Sequence, residues 1–182
     1  MNKPGEPTEA SRWRRGWTPS CMVALKTLIF TVLVPGTVTV IVPYALLSSG
    51  VKLFSVEIGV FRFLGLAPIL LGVLIYLRCA WDFTFVGRGT PAPLDPPKEL
   101  VISGLYRWLR NPMYLGVALV LFGEAVLFES ALLLGYAALA LLGFHLRVVH
   151  YEEPALRRKF GESYEQYCNS VPRWVPGVIH RL

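Results

Sequence analysis

Charged residues are scarce in this 182-residue chain: they make up 16% of the sequence, whereas 54% of the residues are hydrophobic. The mean hydropathy is +0.50. Ordinary soluble domains contain about 25% charged residues, so this composition excludes a typical water-soluble protein. The sequence instead predicts an all-α integral membrane protein without a second globular domain.

Cysteine and histidine are also rare, with three residues of each type. The cysteines are Cys21, Cys79 and Cys168, and their odd number, with the first two at predicted cytoplasmic helix ends, argues against disulfides. Neither residue type shows the spacing of metal ligands. We therefore interpret the cysteines as packing residues and expect no metal cofactor.

Four apolar segments approach the roughly 20 residues that a helix needs to cross a hydrocarbon core of about 30 Å. They are residues 22–47, 58–80, 112–128 and 131–149. Only Glu129 and Ser130 separate the last two segments, which predicts a tight antiparallel hairpin. Prolines within the first two segments predict kinks that do not end the helices.

The distribution of Lys and Arg predicts the orientation. These residues cluster in the N-terminal arm, the central loop and the C-terminal tail, whereas one predicted outer loop contains Lys52 and the other contains neither type. Short basic loops remain on the cytoplasmic side, so both termini and the central loop are predicted to be cytoplasmic. The net charge of +6 then reflects topology and attraction to anionic lipid, not nucleic-acid binding. We divide the chain into a basic arm, 1–20, and one membrane domain, 21–182.

The polar residues concentrate in two cytoplasmic motifs. The first is "GLYRWLRNPMYLG", residues 104–116. Asn111 is a good N-cap and Pro112 a good first helical residue, so the third membrane helix is predicted to begin there. Its unpaired N–H groups would face the cytoplasm and favour an anion such as a carboxylate.

The second motif is "YEEPALRRKFGESYEQYCNSVPR", residues 151–173. Apolar and aromatic residues recur in it at spacings of four, four and three, which predicts one face of an amphipathic C-terminal helix. They are Leu156, Phe160, Tyr164 and Tyr167. This face is expected to lie on the membrane or on the central loop.

Glu152 and Glu153 open this second motif next to the bilayer, where an unpaired carboxylate is costly. At least one of them should therefore meet a cation or several donors. The two side chains differ by about 100° around a helix. We expect Glu153 to point toward Arg157, one turn further on.

Together, the two motifs resemble those of the isoprenylcysteine carboxyl methyltransferase family and its phospholipid methyltransferase relatives. The resemblance covers residues 89–176. It implies a membrane-embedded, helical methyltransferase that holds S-adenosylmethionine on the cytoplasmic side and acts on a lipophilic acceptor. It also implies that a cytoplasmic loop contributes to the cofactor site and that no covalent nucleophile is needed.

Carried over by position, the resemblance implies a set of cofactor-contacting residues. They are Tyr106, Asn111, Pro112, Met113, Tyr114 and Glu152. The stretch where the family's loop contacts the cofactor consists of Lys98, Glu99, Leu100 and Val101. Related enzymes place a substrate-contacting Arg where this chain has Val148. The neighbours Arg147 and His150 are candidates for that acceptor contact, or are interfacial charges at a helix end.

The acceptor class stays open at the level of sequence. Eukaryotic prenylcysteine enzymes have His-Pro where this chain has Asn111-Pro112. The strings "NPMY" and "YEEP" are similar to phospholipid N-methyltransferases, whereas "FGESYEQY" and "VPR" are similar to the carboxyl methyltransferases. Carboxylate O-methylation is the main interpretation; amine N-methylation and small-thiol S-methylation are alternatives. A sterol-type NADPH reductase and a non-enzymatic membrane subunit are the rival classes.

Overall fold

The computed structural model describes residues 22–51, 57–85 and 100–175. The predicted basic arm lies outside these residues, as do Lys98 and Glu99 of the predicted cofactor loop. Within the three described ranges the chain is helical or irregular and contains no strand.

The described helices are numbered here in chain order. They are α1 (Met22–Ser48), α2 (Gly59–Phe85), α3 (Pro112–Leu127), α4 (Ala131–Arg147), α5 (Glu153–Phe160) and α6 (Glu162–Ser170). A π-turn, Val148–Glu152, joins α4 to α5 without a break. The loop before α3 contains a short 3-10 turn, Gly104–Arg107.

Three helical runs are long and apolar enough to cross a membrane: α1, α2 and the continuous run Ala131–Phe160. Their outer apolar side chains are exposed, for example Leu70 at 64% and Leu139 at 68%, as expected of a membrane-facing surface. The helical membrane class is therefore confirmed. Helix α3 has 16 residues, or about 24 Å of helix, and a fourth crossing by α3 remains a prediction.

Helices α2 and α3 cross at two pairs of glycines that the sequence analysis did not single out. Gly72 faces Gly116, and Gly65 faces Gly123, so closely that a Cβ on any of the four would clash with backbone of the facing helix. Within each helix the two glycines are seven residues apart, which is about two turns. Small residues allow this close approach in membrane helices.

Helix α1 continues through its prolines, as predicted, but contains a π-turn at Thr37–Ile41. In this turn the Val42 N–H donates to the Thr37 carbonyl oxygen, five residues back. With the same five-residue spacing, the Val38 carbonyl oxygen would accept the N–H of residue 43. Residue 43 is a proline and has no N–H to donate. The Tyr136 hydroxyl donates to the Val38 carbonyl oxygen instead, at 2.9 Å. This bond fastens α1 to α4.

The predicted hairpin between α3 and α4 is present. Glu129 adopts a positive φ of 52° at the turn, and the Ser130 hydroxyl caps α4 by accepting the Leu133 N–H at 3.3 Å. The Glu129 carboxylate accepts the N–H of Ile58 at 2.9 Å. The hairpin is thereby tied to the start of α2.

The structure divides the predicted C-terminal amphipathic helix into α5 and α6. Gly161 separates them with a φ of 54°, a conformation that interrupts a right-handed helix. The predicted apolar face nevertheless stays together, because Leu156 and Phe160 pack against the buried Tyr164 and Tyr167. Leu100 of the central loop packs on the same cluster, so this face lies on the loop.

Candidate functional site

The π-turn between α4 and α5 brings two charged side chains onto one side of the helix. In a π-turn the hydrogen bonds join residues five apart, and here the Glu153 N–H donates to the Val148 carbonyl oxygen. Arg147 and Glu152 are also five apart, and the Arg147 Nε donates to Glu152 Oε1 at 2.9 Å. A regular α-helix would separate these side chains by about 140° around its axis.

Tyr114, in the first turn of α3, completes this group. Its hydroxyl donates to Glu152 Oε1 and accepts the Arg147 Nε–H at 3.1 Å. Its ring contacts Phe144, with the ring centroids 4.9 Å apart. We call Tyr114, Arg147 and Glu152 the Glu152 cluster. The Glu152 side chain is 28% exposed and that of Arg147 45%, so a ligand can reach both.

Glu153 is surrounded differently from Glu152. It is buried, at 4% exposure, and Arg173 donates to both its oxygens, at 2.6 Å and 3.0 Å. Arg110 adds a third contact at 3.2 Å. The expected pairing of Glu153 with Arg157 is therefore wrong, because Glu153 points inward while Arg157 pairs with Glu165 at 2.9 Å. The hydrogen bond to Glu153 raises the pKa of Arg173 above its ordinary value.

Helix α3 begins at Pro112 with Asn111 as N-cap, as the sequence predicts. The Asn111 side chain, however, does not cap the helix. Its Nδ2 donates to the Arg173 carbonyl oxygen at 3.2 Å. The N–H groups of the first helical turn consequently have no side-chain partner from the N-cap residue.

The central-loop residues of the predicted site that the structure describes are packed against other parts of the protein. Val101 and Tyr106 are each 6% exposed and share an apolar cluster with Cys79, while Leu100 packs against the C-terminal cluster. Burial raises the pKa of the Tyr106 phenol well above its ordinary value, so this hydroxyl stays protonated. The Tyr106 carbonyl oxygen accepts the Tyr167 hydroxyl at 2.7 Å.

The remaining predicted site residues lie at different depths. Pro112 is fully buried. Met113 is partly buried and packs against two apolar clusters, one that contains Tyr106 and one that contains Leu121. His150 is exposed on the π-turn. Side-chain hydrogen bonds thus unite Tyr114, Arg147 and Glu152, whereas Val101, Tyr106 and Met113 meet separately in an apolar cluster.

Sequence reasoning missed Asp82, which lies beside the first motif. Asp82 is 2% exposed, and one of its oxygens pairs with Arg78 Nη1 at 2.6 Å. Its other oxygen lies against Gly104, where a Cβ would clash with it and where φ is +58°. The available signal was an acidic residue just beyond the predicted membrane segment 58–80. Asp82 explains why the turn before α3 begins with glycine.

Arg110 and Arg173 were also missed as functional candidates. Both lie inside the quoted motifs, where the sequence assigns their charge only to the topology. Both arginines contact the buried carboxylate of Glu153, which lies 43 residues from Arg110 and 20 residues from Arg173 in the sequence. No local pattern predicts such a pairing.

An apolar groove of about 500 Å³ runs between α1, α2 and α3, beside Pro35, Val73 and Val120. The hydroxyls along it are already paired: Thr31 bonds to Tyr76 at 2.9 Å and Thr39 to its own helix backbone. The groove therefore suits an apolar occupant. Within the described ranges, no group of His, Cys, Asp and Glu is arranged to hold a metal ion.

Comparison with known families places most of the described helices within a family match. The phospholipid methyltransferase family matches residues 60–163, which is more than half of the chain. The matched region includes all of α2 but its first residue, the loop before α3, the α3–α4 hairpin and the Glu152 cluster.

Similar individual proteins are named as isoprenylcysteine methyltransferases. A probable protein-S-isoprenylcysteine O-methyltransferase from Oryza sativa subsp. indica is 29% identical over 120 residues, which are 64% of this chain and 61% of the relative. The protein-S-isoprenylcysteine O-methyltransferase of Xenopus laevis is 38% identical over 79 residues, 43% of this chain and 27% of the relative. That of Schizosaccharomyces pombe is 38% identical over 80 residues, 42% and 33% respectively. The chain thus spans less than two thirds of these curated relatives. No solved structure matches it.

Proposed function

Because the chain belongs to the phospholipid methyltransferase family, we propose that it transfers a methyl group from S-adenosylmethionine to a lipophilic acceptor at the membrane. The favoured reaction is carboxylate O-methylation, and the similar rice, frog and yeast proteins are named as O-methyltransferases. The observation that carries the proposal is the Glu152 cluster, which unites residues from both motifs at a partly exposed position.

The residues present fit this cofactor. Glu152 offers a carboxylate to an ammonium group or to ribose hydroxyls. The first turn of α3 lacks a side-chain cap and favours a carboxylate through its N–H groups and helix dipole. Tyr114 and the half-exposed Trp108 offer aromatic surface for a flat base.

The cofactor supplies an electrophilic methyl group on a sulfonium, so the protein's task is to bind, orient and exclude water. In this proposal Glu152 and the first turn of α3 orient the cofactor. Tyr114 holds the Glu152 carboxylate in place and packs against Phe144. No side chain needs to act as a nucleophile.

Arg147 is our candidate for recognising the acceptor. Its guanidinium lies next to Glu152 and is half exposed, which suits an anionic group such as a carboxylate. His150, exposed on the same π-turn, is the second candidate. The apolar groove supports an acceptor with a long hydrocarbon chain, reached sideways from the membrane.

A second candidate reaction is N-methylation of a lipid amine. The description of the matching family, phospholipid methyltransferase, favours it. An amine acceptor must lose a proton, whereas a carboxylate with a pKa near 4 arrives ionised. The two acceptors therefore make different demands on the same site.

We further propose four membrane crossings, with α3 as the shortest and both termini in the cytoplasm. The positions of Lys and Arg support this orientation. It places the start of α3 and the π-turn, and hence the cofactor site, on the cytoplasmic side. Residues 21–182 would form the single membrane domain, preceded by the basic arm 1–20.

Calorimetric titration of the purified protein in detergent tests the proposed cofactor. We expect S-adenosylhomocysteine to bind and NADPH not to bind. Binding of NADPH alone would favour the reductase class, and binding of neither would favour a non-enzymatic subunit. Incubation with methyl-labelled S-adenosylmethionine and a membrane lipid extract then identifies the acceptor: alkali-labile label indicates an ester, and alkali-stable label an amine or thioether.

A further inference from the structure

A C-terminal segment lies beside the proposed cofactor site and bonds to the helix ends that carry it. We call residues 171–174 the C-terminal strap. The Arg110 N–H donates to the Pro172 carbonyl oxygen at 2.9 Å, and Asn111 Nδ2 donates to the Arg173 carbonyl oxygen at 3.2 Å. At its end, the Trp174 indole N–H donates to His145 Nδ1 at 3.1 Å. The strap thus bridges the start of α3 and the end of α4.

Glu153 anchors the middle of the strap. The Arg173 guanidinium meets both oxygens of this buried carboxylate, a geometry that restricts orientation as well as distance. Arg110 contacts the same carboxylate. A buried carboxylate is strongly destabilising if its partner leaves, so the strap has one strongly favoured position.

This arrangement sets the spacing of the proposed cofactor residues. Glu153 directly follows Glu152, and Arg110 directly precedes Asn111. Arg173 connects the two pairs, through its guanidinium on one side and its carbonyl oxygen on the other. Arg173 therefore helps to set the distance between Glu152 and the start of α3, together with the direct contacts of Tyr114 with Glu152 and of Arg110 with Glu153.

We propose that Arg173 is a positioning residue for cofactor binding, acting through Glu153 and Asn111 to hold the two halves of the site at their correct separation. This inference rests on the proposed function, because the ligand it concerns is S-adenosylmethionine. A displacement of about 1 Å between binding groups is enough to lose about two orders of magnitude in an enzyme reaction. Partial release of the strap should have a smaller but measurable effect.

Arg173→Gln removes the paired charge and the two-point contact. We expect S-adenosylhomocysteine to bind about 10-fold more weakly to this variant, measured by calorimetry on folded, detergent-solubilised protein. The matched control is Arg157→Gln, in the same C-terminal region. Arg157 pairs with Glu165 at 2.9 Å, and both side chains are about half exposed. This control should bind like the wild type.

A second pair of variants separates positioning from stability. Arg173→Lys keeps a positive charge beside Glu153 but loses the two-point contact, so we expect thermal stability to recover more than affinity. In a double-mutant cycle, Glu153→Gln and Arg173→Gln together should weaken binding by no more than Glu153→Gln alone, because Glu153→Gln already breaks the link to Arg173 as well as the contact with Arg110. Additive losses would overturn the proposed link.

Hydrogen exchange provides a readout without any ligand. The Arg110 amide, bonded to Pro172, should exchange faster in Arg173→Gln than in the wild type, and at the wild-type rate in Arg157→Gln. Wild-type protein that fails to bind S-adenosylhomocysteine would overturn the proposed function, and the cofactor role of Arg173 with it. If the wild type binds S-adenosylhomocysteine, two results would overturn this inference alone. One is that Arg173→Gln binds as tightly as the wild type, and the other is that Arg157→Gln loses as much affinity as Arg173→Gln.

Discussion

Substitution of Glu152 by glutamine tests the centre of the proposed site. The change keeps the size of the side chain and removes its charge. In the free protein the Glu152 carboxylate receives the Tyr114 hydroxyl and the Arg147 Nε–H. In the complex we expect it to receive the ammonium or the ribose hydroxyls of the cofactor.

Two effects determine the size of the loss. A hydrogen bond to a charged group contributes about 1.5 to 3 kcal/mol. Arg147 competes for the carboxylate in the free protein, but this half-exposed ion pair contributes only about 0 to 1 kcal/mol, and the substitution weakens this competition too. The net loss is then about 0.5 to 3 kcal/mol, or roughly 2- to 150-fold in affinity.

The assay is calorimetric titration with S-adenosylhomocysteine in detergent. Glu165→Gln is the matched control, because Glu165 is 51% exposed and pairs only with Arg157 among the contacts described. Glu153→Gln is unsuitable as a neutral control, since Glu153 is buried and paired with two arginines. Equal affinities for wild type and Glu152→Gln, at normal folding and membrane insertion, would refute the assignment of this carboxylate.

Three further predictions concern the fold and its orientation. Gly116→Ala should destabilise the protein by about 1 to 3 kcal/mol through overpacking, because its Cβ would lie 2.8 Å from a carbonyl oxygen of α2; Gly143→Ala, with nothing within 4 Å, is the control in thermal unfolding. Tyr136→Phe should cost about 1 to 3 kcal/mol by leaving the Val38 carbonyl unpaired, and an unchanged melting temperature would contradict this. In a cysteine-free background, Ser130→Cys should react with an impermeant external thiol reagent; labelling only after membrane disruption would reject the orientation.

Local sequence patterns determined the class of the protein and the positions of its main helices. Long apolar runs have few alternatives to helices in a membrane, because backbone groups must be paired within the segment. The start of α3 at Pro112 and the two-residue hairpin also follow from local rules, since proline and the capping position act on adjacent residues. The resemblance of the two motifs correctly indicated the family, because motif order is itself a property of the sequence.

Tertiary structure alone decided the partners of the neighbouring carboxylates. Local helix geometry predicts that Glu153 meets Arg157, but the π-turn and the strap place Glu153 between Arg110 and Arg173 instead. The sequence gives no signal strong enough to predict a π-turn. Such a turn inserts about one extra residue into the helix and so shifts by one position the residues that share a face after it. The same limit applies to the crossing of α2 and α3: a glycine's lack of a side chain is visible in the sequence, but the backbone that approaches it is distant in the chain. Long-range pairing depends on how whole helices pack, and that is what the sequence, read locally, could not determine.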